Sequence, residues 1–341
     1  MKARASAATL ITGATGFLGR HAVQALWNGK QRLRLFARAV PRDGVQDGVD
    51  VVEGSLLDRA AVRRAVSGCR RIYHLAGRVS RLRQDAPDLF RVHVEGTRLL
   101  CEEAAAAGVR RMVLVSTSGT IGVSSDPERI ATESDGYALD AVKRWPYYLS
   151  KIYQEREALG FSARGDFEVV VVNPSLLLGP GDERESSTGD VARFLRKEIP
   201  AIPDGGVSFV DVRDVAAALP AAMEHGRAGE NYLLGAANWT LARFLERLEQ
   251  LSGVPAPRLR LPPRLVEWSA RIVDFMDQIG RPTSVDPVST EMSRCFWYVD
   301  SSKAERELAF RPRDPAETLL DTIHDLRQRL PGMEPARSAS A

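Results

Sequence analysis

The sequence predicts an α/β fold, a doubly wound parallel sheet with a smaller C-terminal unit. Two observations carry that reading. Short apolar, β-branched runs alternate with helical stretches through the first half of the chain, the pattern of a parallel sheet covered by helices on both faces. Several runs are apolar throughout, as in Val169-Val170-Val171-Val172, and such strands fit burial on both faces.

The elements follow in order. Residues 8–12 (ATLIT) form the first strand, and a glycine-rich turn leads straight into a helix over 17–28. The second strand spans 33–37 and the third 49–52, separated by a loop holding Pro41, Gly44 and Gly48. Asp58 is placed to cap a helix over 59–67, because its carboxylate can accept from amides that lack a helical partner. Runs 71–75, 112–115 and 169–172 supply further strands, with helical stretches at 88–107 and 144–160 between them. After Pro174 the alternation stops. One helix then carries Leu241, Phe244, Leu245, Leu248 and Leu251 on a stripe, and a second, bracketed by prolines, covers 263–279. The larger domain is expected to take residues 1–174 and about 207–236. The smaller one takes about 175–206 and 237–330, and 331–341, rich in Pro, Ser and Ala, is expected to be a disordered tail.

Composition narrows the function. Of 341 residues 44% are hydrophobic and 27% charged, ordinary values for a globular protein. The net charge of +3 is small and its Lys and Arg are scattered, which argues against nucleic-acid binding. Cys69, Cys101 and Cys295 are far apart and odd in number, so neither a disulfide framework nor a zinc site is expected, and a reducing cytoplasm is the natural compartment. No apolar run approaches the roughly 18 residues of a membrane span, and the first eight residues lack the apolar core of a signal peptide.

The chemistry begins at Thr12-Gly13-Ala14-Thr15-Gly16-Phe17-Leu18-Gly19, between the first strand and the first helix. Glycines there permit a tight turn, close backbone approach to a pyrophosphate and close helix–strand packing, while the helix N-terminus offers free amides to phosphate. At the tip of the second strand an acid would accept from a ribose 2′-hydroxyl, whereas a basic residue favours a 2′-phosphate. Phe36-Ala37-Arg38 carries no acid, so Arg38 points to NADP, with NAD as the alternative and Arg20 as a helper; a solvated loop arginine is the bland reading.

A second group of residues moves protons. Tyr147 and Lys151 are four apart on one helix face, and a nearby ammonium is expected to lower the phenol pKa toward working pH. That spacing is common by chance. It gains weight from Ser116-Thr117-Ser118 at the end of strand 112–115, where a hydroxyl reaches the crevice in which open α/β sheets bind ligands.

With HLAG at 74–77, VSTSGTIG at 115–122 and YYLSK at 147–151 following the glycine turn in that order, the chain resembles the extended short-chain dehydrogenase/reductase family, within the NAD-dependent epimerase/dehydratase superfamily. The resemblance runs from residue 8 to about 330 and implies a Rossmann domain. It implies Tyr147 as acid/base, Lys151 as its tuner and ribose ligand, and Thr117 as the hydroxyl beside them, with Ser116 one register away. For the dinucleotide it implies Gly13, Thr15, Gly16, Phe17, Leu18 and Gly19 at the phosphates and Arg38 at the ribose. Ser55 and Leu56 follow the third strand, Leu75, Ala76 and Gly77 the fourth, and Pro174 and Ser175 the sixth. No metal is implied. Where the family often has Gly-Asp-Leu, this chain has Gly54-Ser55-Leu56, which removes an acid near adenine.

Members include reductases, dehydrogenases and nucleotide-sugar epimerases or dehydratases, and fold alone does not choose among them. Sugar-nucleotide members carry an Asn at the position of Leu176 and an Arg-Asp pair at Val207-Ser208. The segment NPSLLLGP is instead similar to the dihydroflavonol reductase and 3β-hydroxysteroid dehydrogenase branch, and to hopanoid-associated proteins named as sugar epimerases. The expectation is hydride transfer between NADP(H) and a ketone or secondary alcohol on an apolar, alicyclic or polycyclic substrate. The alternatives are a nucleotide-sugar epimerase that recycles NAD and a non-catalytic cofactor-binding regulator. Helix 263–279 is either core, a pocket wall or a peripheral membrane contact, and helices 88–107 and 144–160 are candidates for a homodimer interface.

Overall fold

The computed structural model describes residues 7–27, 29, 31–39, 48–259 and 287–329. The expected helix 263–279, the loop residues Pro41, Asp43 and Gly44, and the tail 331–341 lie outside them. Seven parallel strands form the main sheet in the order β3-β2-β1-β4-β5-β6-β9. They are β1 (Ala8–Thr12), β2 (Leu33–Ala37), β3 (Asp50–Glu53), β4 (Cys69–His74), β5 (Arg111–Val115), β6 (Glu168–Pro174) and β9 (Asn231–Leu234). Strand order reverses between β1 and β4, which opens a crevice at their carboxyl ends.

The all-apolar strands explain the layering. Val170 and Val172 of β6 face a core shared with α1 (Phe17–Leu26) and α8 (Val212–His225), whereas Val169 and Val171 face the core under α2 (Arg59–Val66) and α4 (Gly96–Ala106). Alternate side chains thus fill opposite faces of one buried sheet. Asp58 caps α2 as expected, accepting from the amides of Ala60 (2.9 Å) and Ala61 (3.2 Å).

Beyond Pro174 the chain makes more regular structure than its pattern suggests. A second sheet joins β7 (Leu176–Leu178), β8 (Gly206–Asp211) and β10 (Ala237–Thr240) in the order β10-β8-β7. Between β8 and β10 the chain returns to the main sheet to add α8 and β9. Strands of three and four residues are too short to display a period, and α8 is alanine-rich with Pro220 inside it, which hides it from pattern reading. Two short helices, α5 (Leu139–Val142) and α7 (Gly189–Leu195), precede the striped helix, which is α9 (Leu241–Ser252); it buries Phe244, Leu245 and Leu248 and ends on Gly253 at φ +72°.

The expected helix 88–107 is interrupted. It comprises α3 (Ala86–Phe90), a π-helical turn (Arg91–Glu95) and α4. The turn carries His93, whose ring is fully buried against α6 (Pro146–Ala163). Among the described residues no helix is long and apolar enough to cross a membrane, and no cluster of three His, Cys, Asp or Glu side chains could hold a metal ion.

Candidate active site

The glycine turn is built for a close ligand. Gly13 sits at φ +74°, and a Cβ on it would lie 2.6 Å from the Ala76 amide nitrogen; one on Gly19 would lie 2.0 Å from the Gly13 carbonyl oxygen. Only glycine fits at these two positions, so strand, turn and helix pack backbone to backbone. Gly16 is the N-cap of α1 and no side chain caps its first-turn amides, which leaves them to an anion. Leu75, Ala76 and Gly77 run alongside: the Leu75 amide donates to Thr12 O (3.2 Å), and the Ala76 amide to Thr12 Oγ1 (3.2 Å). The segment therefore fits a dinucleotide pyrophosphate.

Tyr147 and Lys151 stand one turn apart on α6, as their spacing requires. Lys151 is buried, and its ammonium donates to the carbonyl of Val115 (2.9 Å), two residues before Thr117, and to Gln154 Oε1. Gln154 in turn donates to Thr97 Oγ1 (2.9 Å), and His74 bridges Thr97 Oγ1 (2.9 Å) and Thr12 Oγ1 (2.7 Å). An unbroken buried chain thus links the lysine to the strand that enters the glycine turn. His74 stays neutral within it, its pKa pushed down to about 3 by burial and by the Lys151 charge. His93 accepts from the Arg78 amide (3.0 Å) and bonds Ser150 Oγ (2.8 Å), which donates to the Tyr147 carbonyl (2.8 Å) and so holds that turn of α6.

The hydroxyls after β5 divide their work. Ser116 donates to Glu155, a fully buried carboxylate that also accepts from Asn173 (2.9 Å) and Asn231 (2.9 Å). Thr117 accepts only weakly from the Gly119 amide (3.3 Å) and lines the cavity with Tyr147. Burial raises the Glu155 pKa against these donors.

One expectation fails here. Burial pushes the Tyr147 phenol up, with the neighbouring Tyr148 as the second cause, and the Lys151 ammonium is not among the causes. The ammonium is itself desolvated, which pulls its pKa down to about 8, and it is bonded to Val115 and Gln154. Desolvation therefore sets the direction of the phenol's shift.

The cavity beside Tyr147 holds about 380 Å³. Its walls are largely apolar: Trp145, Tyr148 and Trp297 form one cluster, with Trp145 and Trp297 stacked at 5.6 Å, and Leu176, Val207, Phe244 and Leu245 another. Arg81 crosses the lining to pair with Asp190 (2.8 Å), holding that carboxyl below its usual range against burial. Pro174 and Ser175 also line it, so Thr117, Tyr147, Pro174 and Ser175 come together while Lys151 lies behind them.

The other sites fall where their strands end. Arg38 is exposed and has no hydrogen bond or ion pair among the described residues. Arg20 is not free to assist it, because Glu183 binds its guanidinium through both carboxylate oxygens. Ser55 turns its hydroxyl back to the Leu57 amide (3.2 Å), and Leu56 is buried against Gly96. Sequence reasoning missed Tyr148, Trp145 and Trp297, and it missed Gln154. A Gln three residues after the lysine, on the same helix face, was the available signal.

A family model described as NAD dependent epimerase/dehydratase family matches residues 9–235. The chain belongs to that family. Across nearly its whole length it is also similar to two curated members. One is sterol demethylase protein B of Methylococcus capsulatus, 34% identical and covering 94% of this chain and 98% of the relative. The other is a putative dihydroflavonol 4-reductase of Synechocystis sp., 34% identical over 92% of this chain and 93% of the relative. The crystal structure of gox2253 superposes with a TM-score of 0.83 at 29% identity, covering 95% and 98% of the two chains. This member of the epimerase/dehydratase family is thus an extended short-chain dehydrogenase/reductase, an enzyme class of NAD(P)-dependent oxidoreductases and epimerases acting on small molecules.

Proposed function

We propose that the protein transfers a hydride reversibly between NADP(H) and a ketone or secondary alcohol on an apolar, alicyclic or polycyclic substrate. The observation that carries this is the cavity wall: beside Tyr147 it presents Trp145, Tyr148, Trp297 and Phe244, with Leu176 and Val207 at positions where the sugar-nucleotide members that the chain resembles carry polar residues. Stacking and edge contacts from such a wall suit fused rings. The names of the two curated relatives, which speak of sterols and of dihydroflavonol reduction, favour the same class.

The dinucleotide supplies or accepts the hydride when bound. Gly13, Gly16 and Gly19 would hold its pyrophosphate with the first-turn amides of α1, and Leu75, Ala76 and Gly77 would flank it. Thr117 and Tyr147 take the substrate oxygen between their hydroxyls. In reduction Tyr147 gives its phenolic proton to that oxygen as the carbonyl carbon gains the hydride, so the alcohol forms without a free alkoxide. Lys151 offsets the phenolate charge left behind, and the Val115 carbonyl with Gln154 keeps its ammonium in place. An exchange of net redox state, not a recycled cofactor, is therefore the expected outcome.

A panel of cyclic and polycyclic ketones and UDP-sugars, incubated with NADPH or NADH, tests this through nicotinamide absorbance. Stoichiometric loss at 340 nm with ketones supports it. Interconversion of UDP-sugars without net absorbance change would overturn it in favour of epimerisation. We assign Arg38 to the 2′-phosphate, since it is exposed and unpaired among the described residues. Arg38→Ala is expected to raise the NADPH Kd about 10- to 100-fold, the worth of one or two charge-assisted hydrogen bonds, and to leave the NADH Kd within about twofold. Equal losses in a fluorescence titration reject the phosphate role.

A further inference from the structure

Three ionisable groups lie on one stripe of α6. Tyr147, Lys151 and Glu155 are each four residues apart, so they stand one above another on the same helix face. Lys151 is buried and Glu155 fully so. Tyr147 lines the cavity, whereas Glu155 does not. A carboxylate taken out of water is costly unless its charge is met as well as its hydrogen bonds.

The end of β5 brings the lysine and the glutamate to one peptide unit. Lys151 Nζ donates to the Val115 carbonyl (2.9 Å), and the hydroxyl of the next residue, Ser116, donates to Glu155 Oε1. The ammonium and the carboxylate therefore flank the Val115–Ser116 peptide, immediately before Thr117. The rest of the carboxylate meets donors from other elements. Asn173 Nδ2 of β6 reaches Oε1 (2.9 Å) and Asn231 Nδ2 of β9 reaches Oε2 (2.9 Å), while Thr120 and Tyr137 add their hydroxyls. A carboxyl surrounded by donors is arranged for its ionised form, which can only accept.

The other ionisable groups facing the pair do not match the ammonium. His74 of β4 and His93 of the π turn are held neutral by burial and by the Lys151 charge. Burial keeps the Tyr147 phenol protonated, and it does the same for Tyr137, with the Glu155 charge adding to it and Arg156 opposing. Lys303 reaches the Asn231 carbonyl (2.6 Å) but is paired with Glu230 (2.8 Å). Burial lowers the lysine pKa and the Glu155 charge raises it; burial raises the glutamate pKa, and its donors and the Lys151 charge lower it. Each charge supports the other.

We propose that Glu155 is the buried counter-charge of Lys151, a positioning residue that keeps the ammonium charged behind the catalytic tyrosine. This rests on the reading of Tyr147 and Lys151 as the proton-transfer pair, and it adds what lets a desolvated lysine remain a cation at neutral pH. The attraction acts across the Val115–Ser116 peptide, so it depends on the carboxylate's charge more than on its shape.

The test is a pH titration of Lys151 itself, followed by NMR of the full-length protein labelled with 13Cε-lysine, with Lys151→Met identifying the signal. The wild-type midpoint is expected near 8. Glu155→Gln keeps the size and one acceptor oxygen but not the charge. It should lower the midpoint by about one unit, a roughly tenfold loss of ammonium on the alkaline side. Glu155→Asp keeps the charge and should recover about half of that shift or more. A lysine midpoint within about 0.3 units of wild type in Glu155→Gln overturns the proposal even if the Tm falls, because a merely structural glutamate would behave so. An equal shift in Glu155→Asp also overturns it. Should Glu155→Gln fail to fold, the coupling is read from the other partner, since it is reciprocal. Infrared difference titrations should then show a buried carboxyl whose midpoint is about one unit higher in Lys151→Met than in wild type. An unchanged carboxyl midpoint overturns the proposal. Failure of the hydride-transfer reading is seen separately, as absence of any absorbance change with the ketone panel, and leaves both titrations readable.

Discussion

Tyr147→Phe is expected to lower kcat for ketone reduction by about 10³-fold while changing the dinucleotide Kd by less than about twofold. The size follows from what a positioned general acid contributes, about 10²–10⁴ in rate. The selectivity follows from packing. Phenylalanine keeps the ring, which sits edge-on to His93 at 5.9 Å and to Tyr148 at 5.0 Å, and among the described residues no hydrogen bond uses the phenolic oxygen. Lys151 is held by Val115 and Gln154, not by the tyrosine, so its position survives the substitution. Loss of the proton donor is then nearly the only change. Steady-state kinetics with the best ketone of the panel, beside a dinucleotide titration, measure both numbers. A variant that turns over at close to the wild-type rate would remove Tyr147 from the mechanism.

The sequence and the structure agree most where chemistry depends on short-range spacing. The glycine turn, the helix that follows it and the Tyr147–Lys151 pair on α6 are all local, so backbone geometry alone places them. The choice of Thr117 over Ser116 was open from sequence. A contact 39 positions away favours Thr117, since Glu155 engages the Ser116 hydroxyl although both residues line the cavity. The aromatic wall was illegible for the same reason: Trp145 and Trp297 stack although 152 positions separate them in the chain. His93 lies within the stretch read as one helix, on the π-helical turn that interrupts it, and is buried against α6. Arg20 seemed available to a phosphate because Glu183, its partner, lies 163 positions away in the sequence. The error over the tyrosine pKa is more instructive. Spacing announces a nearby cation, but it says nothing about how far both groups are desolvated or where the ammonium points, and those two quantities decide the sign.

That sign makes the second large effect a test of which group sets the pH profile. Burial lowers the Lys151 pKa to about 8, so its ammonium is present below about pH 7 and lost above about pH 9, while burial holds the Tyr147 phenol protonated through the same range. The alkaline limb of kcat/KM for NADPH, which reports the enzyme before the dinucleotide binds, is therefore expected near pH 8 and belongs to the lysine. Lys151→Met should lower kcat by about 10²-fold or more at pH 7, because the phenolate left by proton transfer then lacks its counter-charge, and the limb near pH 8 should vanish with the ammonium. Lys151→Arg separates charge from titration. Arginine stays protonated to beyond pH 12, so any activity it retains should be flat through pH 8 to 9. A limb that persists near pH 8 in the arginine variant would transfer the titration to another group, and the buried Val115–Lys151–Gln154 arrangement would then be a feature of packing, not of catalysis.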